Sequence, residues 1–245
     1  MARRRCAACR RAPASAACAR CRAAAYCGPA CQRAAWSAHG PTCARVAPGP
    51  RYESIAAARA ASARPLVETR AVRVIDGDTI VVEEVAGDDR AGTHVRFDGV
   101  DAPEVAHNSH EVDAPGGAEA RALIEALVPR GARVWLGIKP SGDRYGRIVA
   151  DIWALQCDGA SVVWLQEALL YGGYAQRLST YDKSRDERER ARYAHLDALA
   201  AQARTQRRGL YVCATEPLAP HDWRHGGERV RAAELERARE CAQRK

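Results

Sequence analysis

Acidic residues and lysine are both missing from the first 50 positions of this 245-residue chain, where nine arginines stand unopposed. The absence leaves cysteine and histidine as the metal-ligating side chains of that stretch. Apolar runs are short throughout, and none approaches the roughly 20 residues that a membrane-spanning helix needs, which excludes an anchor of that kind and any membrane partner that depends on one. A leader with a basic, then apolar, then small-residue layout is also lacking, and so is any internal repeat. The expectation is a soluble intracellular protein, cytoplasmic or nuclear. The arginine-rich start has the composition of a mitochondrial presequence, but cleavage there would remove the cysteines described next. The chain carries 38 basic and 30 acidic residues; with the first nine arginines set aside, the remainder has 29 against 30 and is nearly neutral.

Seven of the ten cysteines fall between Cys6 and Cys43. With no leader to send the chain to an oxidising compartment, clustered paired cysteines read as metal ligands rather than disulfides. The pairs are Cys6 with Cys9, Cys18 with Cys21, Cys27 with Cys31, and His39 with Cys43. Zinc takes four sulfur or imidazole ligands in a tetrahedron, and a short pair spacing lets one turn supply two. Eight ligands make two closed structural sites. So short a segment cannot bury a core of its own, so metal binding supplies its folding energy. Cys157, Cys213 and Cys241 show no partner spacing and are expected to be reduced and structural.

The order of these ligands, together with Tyr26, Gln32 and Trp36, resembles the MYND zinc finger along its whole length. The resemblance implies a cross-braced finger in which Cys6, Cys9, Cys27 and Cys31 hold one zinc ion. Cys18, Cys21, His39 and Cys43 would hold the other. It also implies a protein-interaction module, often one for proline-containing peptides.

Beyond an Ala-, Arg- and Pro-rich stretch expected to be a linker or loose helix, the pattern changes at Leu66. VRVIDGDTIVVEEV alternates β-branched residues about Asp-Gly, which predicts strand, turn and strand. THVRFDGV, ARVWLGI and RIVADIWAL predict further strands. GGAEARALIEALVP has apolar residues at 120, 123, 124, 127 and 128, a helical stripe stopped by Pro129. SVVWLQEALLYGG predicts a helix with Ser161 as its cap and glycines as its terminator. A charged helix is expected from about Lys183 to Arg208, ending at Gly209.

The chemistry lies in two acid clusters, VIDGDTI and RFDGVDAPE. Read alone, the first is a tight hairpin turn, the second a capped helix start, and Arg147 an ordinary surface arginine. Together they form a set. Asp78 and Asp101 can offer carboxylates from adjacent strands to a hard divalent cation. Arg96 and Asp101 are an odd number of residues apart and would face opposite sides of a straight strand. A bend or bulge near Gly99 would bring both into one site. Phosphodiester cleavage needs the phosphate charge neutralised, a positioned water and a base to activate it. Arg96, Arg147, Glu104 and the two aspartates complete that set.

These residues resemble the staphylococcal nuclease, or thermonuclease, family, with VIDGDTIVV, VRFDGVDAPE, GGAEA, SGDRYGRIVADI and ARTQRRGLY in family order over about residues 66 to 224. TEPLAPHDWR is similar to the Pro-Trp-x-Trp-Arg-like ending of many bacterial members. The resemblance implies an α+β fold, an OB-fold-like five-stranded β-barrel with packed helices, beside the small cross-braced finger. The expected organisation is a finger over 1–45, a linker over 46–65, a nuclease-like domain over 66–224 and a polar tail over 225–245 that can form a final helix. Carried over by motif, Arg96, Glu104 and Arg147 match the catalytic residues. Asp78, Asp101 and the backbone carbonyl of Ala102 match the calcium ligands. One of the family's two base-contacting tyrosine positions aligns with Ser179, while Tyr145 and Tyr181 remain as substrate contacts. The loop VAHNSHEVDAPGG is acidic where the family can place lysines, and His107 and His110 in it read as exposed loop residues. The expected activity is calcium-dependent endonucleolytic cleavage of DNA or RNA, leaving 5′-hydroxyl and 3′-phosphate ends, with two structural zinc ions in the finger. A non-catalytic scaffold is the alternative, and a second one makes the finger an adaptor that tethers a weak nuclease to a protein complex.

Overall fold

The structure, a computed structural model, describes residues 16–17, 25–26, 49–83, 92–106, 108, 111–156, 159–179, 184, 186–213 and 216–243. The eight expected zinc ligands, Cys157, Tyr181, His107 and His110 lie outside the described residues. Within the finger segment, β1 (Ala16–Ala17) pairs antiparallel with β2 (Ala25–Tyr26), Ala16 opposite Tyr26.

The rest is built on a barrel. Its strands are β3 (Leu66–Val74), β4 (Thr79–Val82), β5 (Thr93–Phe97), β7 (Arg133–Ile138) and β8 (Ile148–Leu155). They run in the order β5-β4-β3-β7-β8, and a parallel pairing of β5 with β8 closes the circle. That is the five-stranded OB-type closure, which leaves no sheet edge along those strands. The composition explains the faces. Thr79–Val82 is buried along its whole length. In β5, Thr93, Val95 and Phe97 point into the core while His94 and Arg96 face outward, as period-two alternation requires. β9 (Val162–Trp164) extends the sheet beyond β8, with Trp164 opposite Trp153.

Helices cover the barrel. The stripe 120, 123, 124, 127 and 128 is buried as expected, on the helix α2 (Gly117–Leu127) and the residue after it. The helix α3 (Leu165–Gly172) begins three residues later than Ser161 as its cap would place it, and Trp164 holds the cap position instead. Val162 and Val163 join β9 instead, because pairing with β8 and full burial outweigh a local cap. The charged helix α4 (Glu187–Thr205) starts on Asp186, whose carboxylate accepts the Glu189 amide. The expected linker departs from expectation after Gly49. Tyr52 bridges to Val162, α1 (Ile55–Ala61) buries Ala58 fully, and Arg64 enters the interior. The tail is helical, with α5 (Pro220–His225) followed by α6 (Gly227–Gln243). Cys213 and Cys241 are bonded in a disulfide with Cα atoms 5.9 Å apart, which corrects the expectation of two reduced thiols. Their 28-residue separation encodes no pairing that spacing alone could show; the tertiary placement of α6, which carries Cys241, creates it. No helix among the described residues is long and apolar enough to cross a membrane.

Behind the β5 turn lies a buried ionic network. Arg192 donates to Asp151 at 2.7 Å and lies 3.3 Å from Asp98, while Arg64 pairs with Asp98 at 2.7 Å. Lys139 adds a contact to Asp98 at 3.2 Å. Charges this deep need such partners, since an unpaired one costs several kcal/mol, about 3–5. Arg192 also donates to the Asp98 carbonyl at 3.1 Å and Arg177 to the Gly99 carbonyl at 2.9 Å, so the turn after β5 is held from behind.

Candidate active site

The site forms on the outer face of the barrel where β4, β5 and the short strand β6 (Val100–Asp101) meet. The β3–β4 turn carries Asp76 and Asp78. Asp76 accepts the Asp78 amide at 2.9 Å, folding the turn on itself. Gly77 between them is forced, since a Cβ there would lie 2.6 Å from Ala102 and 2.7 Å from Ala120. Gly99, at φ +79°, turns the chain from β5 into β6. That turn resolves the odd-number spacing, because Arg96 now reaches Asp101.

Arg96 stands between two acids. It lies 2.7 Å from Asp78 Oδ2 and 2.6 Å from Asp101 Oδ1, and all three side chains are largely buried. Asp78 Oδ2 also accepts the Ala102 amide at 2.5 Å, which ties the turn to β6. Glu104 sits at the rim with about a quarter of its side chain exposed, and its neighbour is Arg224 of α5. Arg224 also reaches Asp101 Oδ2 at 3.1 Å. Four acids, Asp76, Asp78, Asp101 and Glu104, thus face two guanidiniums.

That charge balance is visible in the proton affinities. Burial, then the charge of Asp78, push the Asp76 carboxyl up to about 8. Asp101 is raised by burial and by Asp78, against the opposing pull of Arg96 and Arg224. Excess negative charge in a half-dry setting is what a divalent cation would relieve. The donors are all hard oxygens, the class calcium takes. Among the described residues no three acid, histidine or cysteine side chains converge as a ready-made cage. The two guanidiniums neutralise the cluster in its place. The chemistry of the donors therefore fits a divalent cation, with Asp78, Asp101, Asp76 and the Ala102 backbone as the residues that could hold it.

Arg147 is placed differently. It precedes β8 by one residue, and Val149 two positions on is the register partner of Arg96, so Arg147 belongs to the same face. Its side chain is turned onto Asp143 at 2.6 Å. The same loop exposes Tyr145, 65% accessible, with the Arg144 and Arg147 guanidiniums 4.9 and 5.4 Å from its ring. An exposed ring flanked by cations is a stacking platform that a nucleic-acid base could use. The structure thus brings Arg96, Asp78, Asp101, Ala102 and Glu104 together and leaves Arg147 and Tyr145 on an adjoining loop. Ser179, at the position where the family can carry a tyrosine, is exposed.

Two residues escaped the sequence reading. Asp76 reads in the sequence as a turn residue, and its two-residue offset from Asp78 is the signal that it shares the site. Arg224 stands 120 residues from Glu104, and only the TEPLAPHDWR ending pointed toward it.

Comparison with known proteins agrees with this geometry. A family model described as "Staphylococcal nuclease homologue" matches residues 94–213, and a "MYND finger" model matches residues 6–43. The chain is 31% identical over 159 residues to an "Uncharacterized endonuclease" of Escherichia coli, covering 65% of this chain and 86% of that protein. It is 30% identical over 138 residues to "Probable staphylococcal-like nuclease CAN2" of Oryza sativa subsp. japonica, covering 56% of this chain and 30% of the rice protein. It is 36% identical over 81 residues to the "Thermonuclease" of Staphylococcus intermedius, covering 33% and 45% of the two chains. The chain therefore spans less than a third of the length of the rice relative. From the barrel, the acid–arginine cluster and these matches together, the chain belongs to the staphylococcal nuclease family and carries a MYND finger ahead of its nuclease-like barrel.

Proposed function

We propose that the barrel is a calcium-dependent endonuclease, cutting DNA or RNA to 5′-hydroxyl and 3′-phosphate ends, and that the finger recruits a protein partner. The observation that carries this reading is Arg96 fixed between two buried aspartates with Glu104 at the open rim. A guanidinium has five N–H donors. Among the described residues, Asp78, its carbonyl and Asp101 engage three of them, which leaves the others for phosphate oxygens. The fork geometry suits phosphate better than a point charge would. Glu104 is the base for the attacking water: its carboxylate takes the proton while the water oxygen bonds to phosphorus. The bond from phosphorus to the 5′ oxygen then breaks, and that oxygen takes up a proton. Charge grows on the phosphate oxygens in the transition state, and Arg96 with Arg147 would meet it there once Arg147 leaves Asp143. Calcium, when bound by the aspartates, supplies charge neutralisation on the phosphate. The finger, by its family, would hold two zinc ions and take a proline-containing peptide or similar protein segment.

A scaffold reading draws on the pairing of Arg147 with Asp143 and of Glu104 with Arg224. Digestion of plasmid DNA and of RNA, with calcium or with chelator, separates the two. Cleavage that appears only with calcium is expected. Binding without cutting at any calcium concentration would leave the scaffold.

A further inference from the structure

Arg224 belongs to no part of the cation, phosphate and base set, yet among the described residues it is the ion-pair partner of Glu104. Its guanidinium bridges Glu104 Oε1 and Asp101, reaching Asp101 Oδ2 at 3.1 Å and Oδ1 at 3.4 Å. About a third of its side chain is exposed, so the bridge is at the mouth of the cluster.

This arginine is delivered by a built scaffold. Gln176 of β10 (Gln176–Arg177) is the register partner of Asp101, and its amide donates to the Pro217 and Leu218 carbonyls at 3.2 and 3.1 Å. The strand that carries Asp101 is thereby fastened to the segment that leads to Arg224. Pro220 opens α5, and Trp223, next to Arg224, is buried. Arg231 of α6 donates to the Trp223 carbonyl at 2.9 Å, and the Leu218 amide donates to Glu234 at 3.3 Å. The Cys213–Cys241 disulfide then closes the whole arm.

We infer that Arg224 is a positioning residue with two effects of opposite sign: it orients the Glu104 carboxylate for proton transfer, and it competes with the divalent cation for Asp101. The inference rests on the nuclease reading for its first effect only. A carboxylate at a rim has free rotamers, and a guanidinium that spans it to a fixed aspartate selects one. The second effect is electrostatic. A positive charge within hydrogen-bond distance of Asp101 opposes a divalent cation at the same carboxylate, and removing it leaves one more unit of attraction.

The test uses the full chain with Arg224→Gln and Arg224→Lys, read by calcium calorimetry, single-turnover cleavage and thermal unfolding. Arg224→Gln should tighten calcium binding about fivefold or more, taking the Coulomb energy at near-water screening. At saturating calcium its cleavage rate should fall about tenfold to a hundredfold, the cost of a misplaced reacting group. Arg224→Lys keeps the charge but cannot span two carboxylates, so calcium affinity should stay near wild type while the rate stays low. Arg224→Gln combined with Glu104→Gln should cut no more than about twofold slower than Glu104→Gln alone, because residues acting as a unit are not additive. A purely structural role would weaken calcium binding and lower the unfolding temperature together with the rate, and that result overturns the inference. A fully additive double variant, or a wild-type rate in Arg224→Gln, overturns it as well. Should the wild-type protein cut nothing, the nuclease reading falls, and the calcium titration alone still decides whether Arg224 competes for Asp101.

Discussion

At the scale of single residues, the site depends on keeping charges of both signs within hydrogen-bond distance of one another. Glu104→Gln keeps size and hydrogen bonding and removes the carboxylate that would act as base, together with the negative charge that pairs with Arg224. Such a loss costs about 10²–10⁴ in rate. Arg96→Lys keeps the positive charge, but one ammonium cannot hold Asp78 and Asp101 at 2.7 and 2.6 Å and fork onto phosphate as well. Both variants are expected to lower the single-turnover rate strongly while nucleic-acid affinity, titrated at one salt concentration, changes less than about threefold. Cutting at the wild-type rate by both would remove Glu104 and Arg96 from the chemistry. Asp78, Asp101, Arg96 and Glu104 were legible in the sequence because they sit in two short motifs on neighbouring strands. Arg147 was legible as a residue but not in its pairing, since Asp143 and phosphate are equally good partners for a guanidinium. Arg224 is visible in the sequence only as the end of TEPLAPHDWR, not in its partner: its distance from Glu104 is closed by tertiary structure, through Trp223 and the fastening at Gln176.

At the scale of elements, strands and helices with strong periodicity were readable, and the misreadings occurred where packing overruled a local signal. Ser161 is a good cap, but Val162 and Val163 gain more by lying against β8. The supposed linker has few large apolar residues, yet Arg64 is drawn inside by Asp98 and Glu189, which the local sequence does not reveal. The docking of α4 on α3 shows a similar contact between distant residues. His195 of α4 and Tyr52 both engage Oε1 of the buried Glu167 of α3, and the Glu167 hydrogen bond raises the His195 proton affinity above its ordinary value. The sign follows: with the folded value above the unfolded one near 6.5, the pair stabilises fully below about pH 6.5 and its contribution fades as pH rises through the folded value. His195 is about half exposed, so the effect stays below about 1 kcal/mol. Thermal unfolding of wild type and His195→Ala should therefore differ more at pH 6 than at pH 8.5, by at most about 2–4 °C. An equal difference at both pH values would show that the imidazole contributes packing alone.

At the scale of the whole molecule, two classes of metal-ligating side chain are divided between two parts of one chain. Residues 6–43 offer thiolates and an imidazole and no carboxylate, while the barrel offers carboxylates and a carbonyl. Softness sorts the ions: zinc goes to paired thiolates, calcium to oxygen. Closed tetrahedral sites have no position open for a substrate, so the finger's ions would hold a fold and carry no step of cleavage. Metal analysis of protein purified without chelator is accordingly expected to find about two zinc ions, and fewer than two in Cys27→Ser. Treatment with a chelator selective for zinc over calcium should strip those ions, unfold the finger, and leave calcium-dependent cutting and the barrel's unfolding transition in place. The opposite treatment, calcium chelation with zinc retained, should stop cutting without releasing zinc. If stripping zinc abolished cleavage while calcium stayed bound, the finger would be part of the catalytic unit, and the separation of the two chemistries would be refuted.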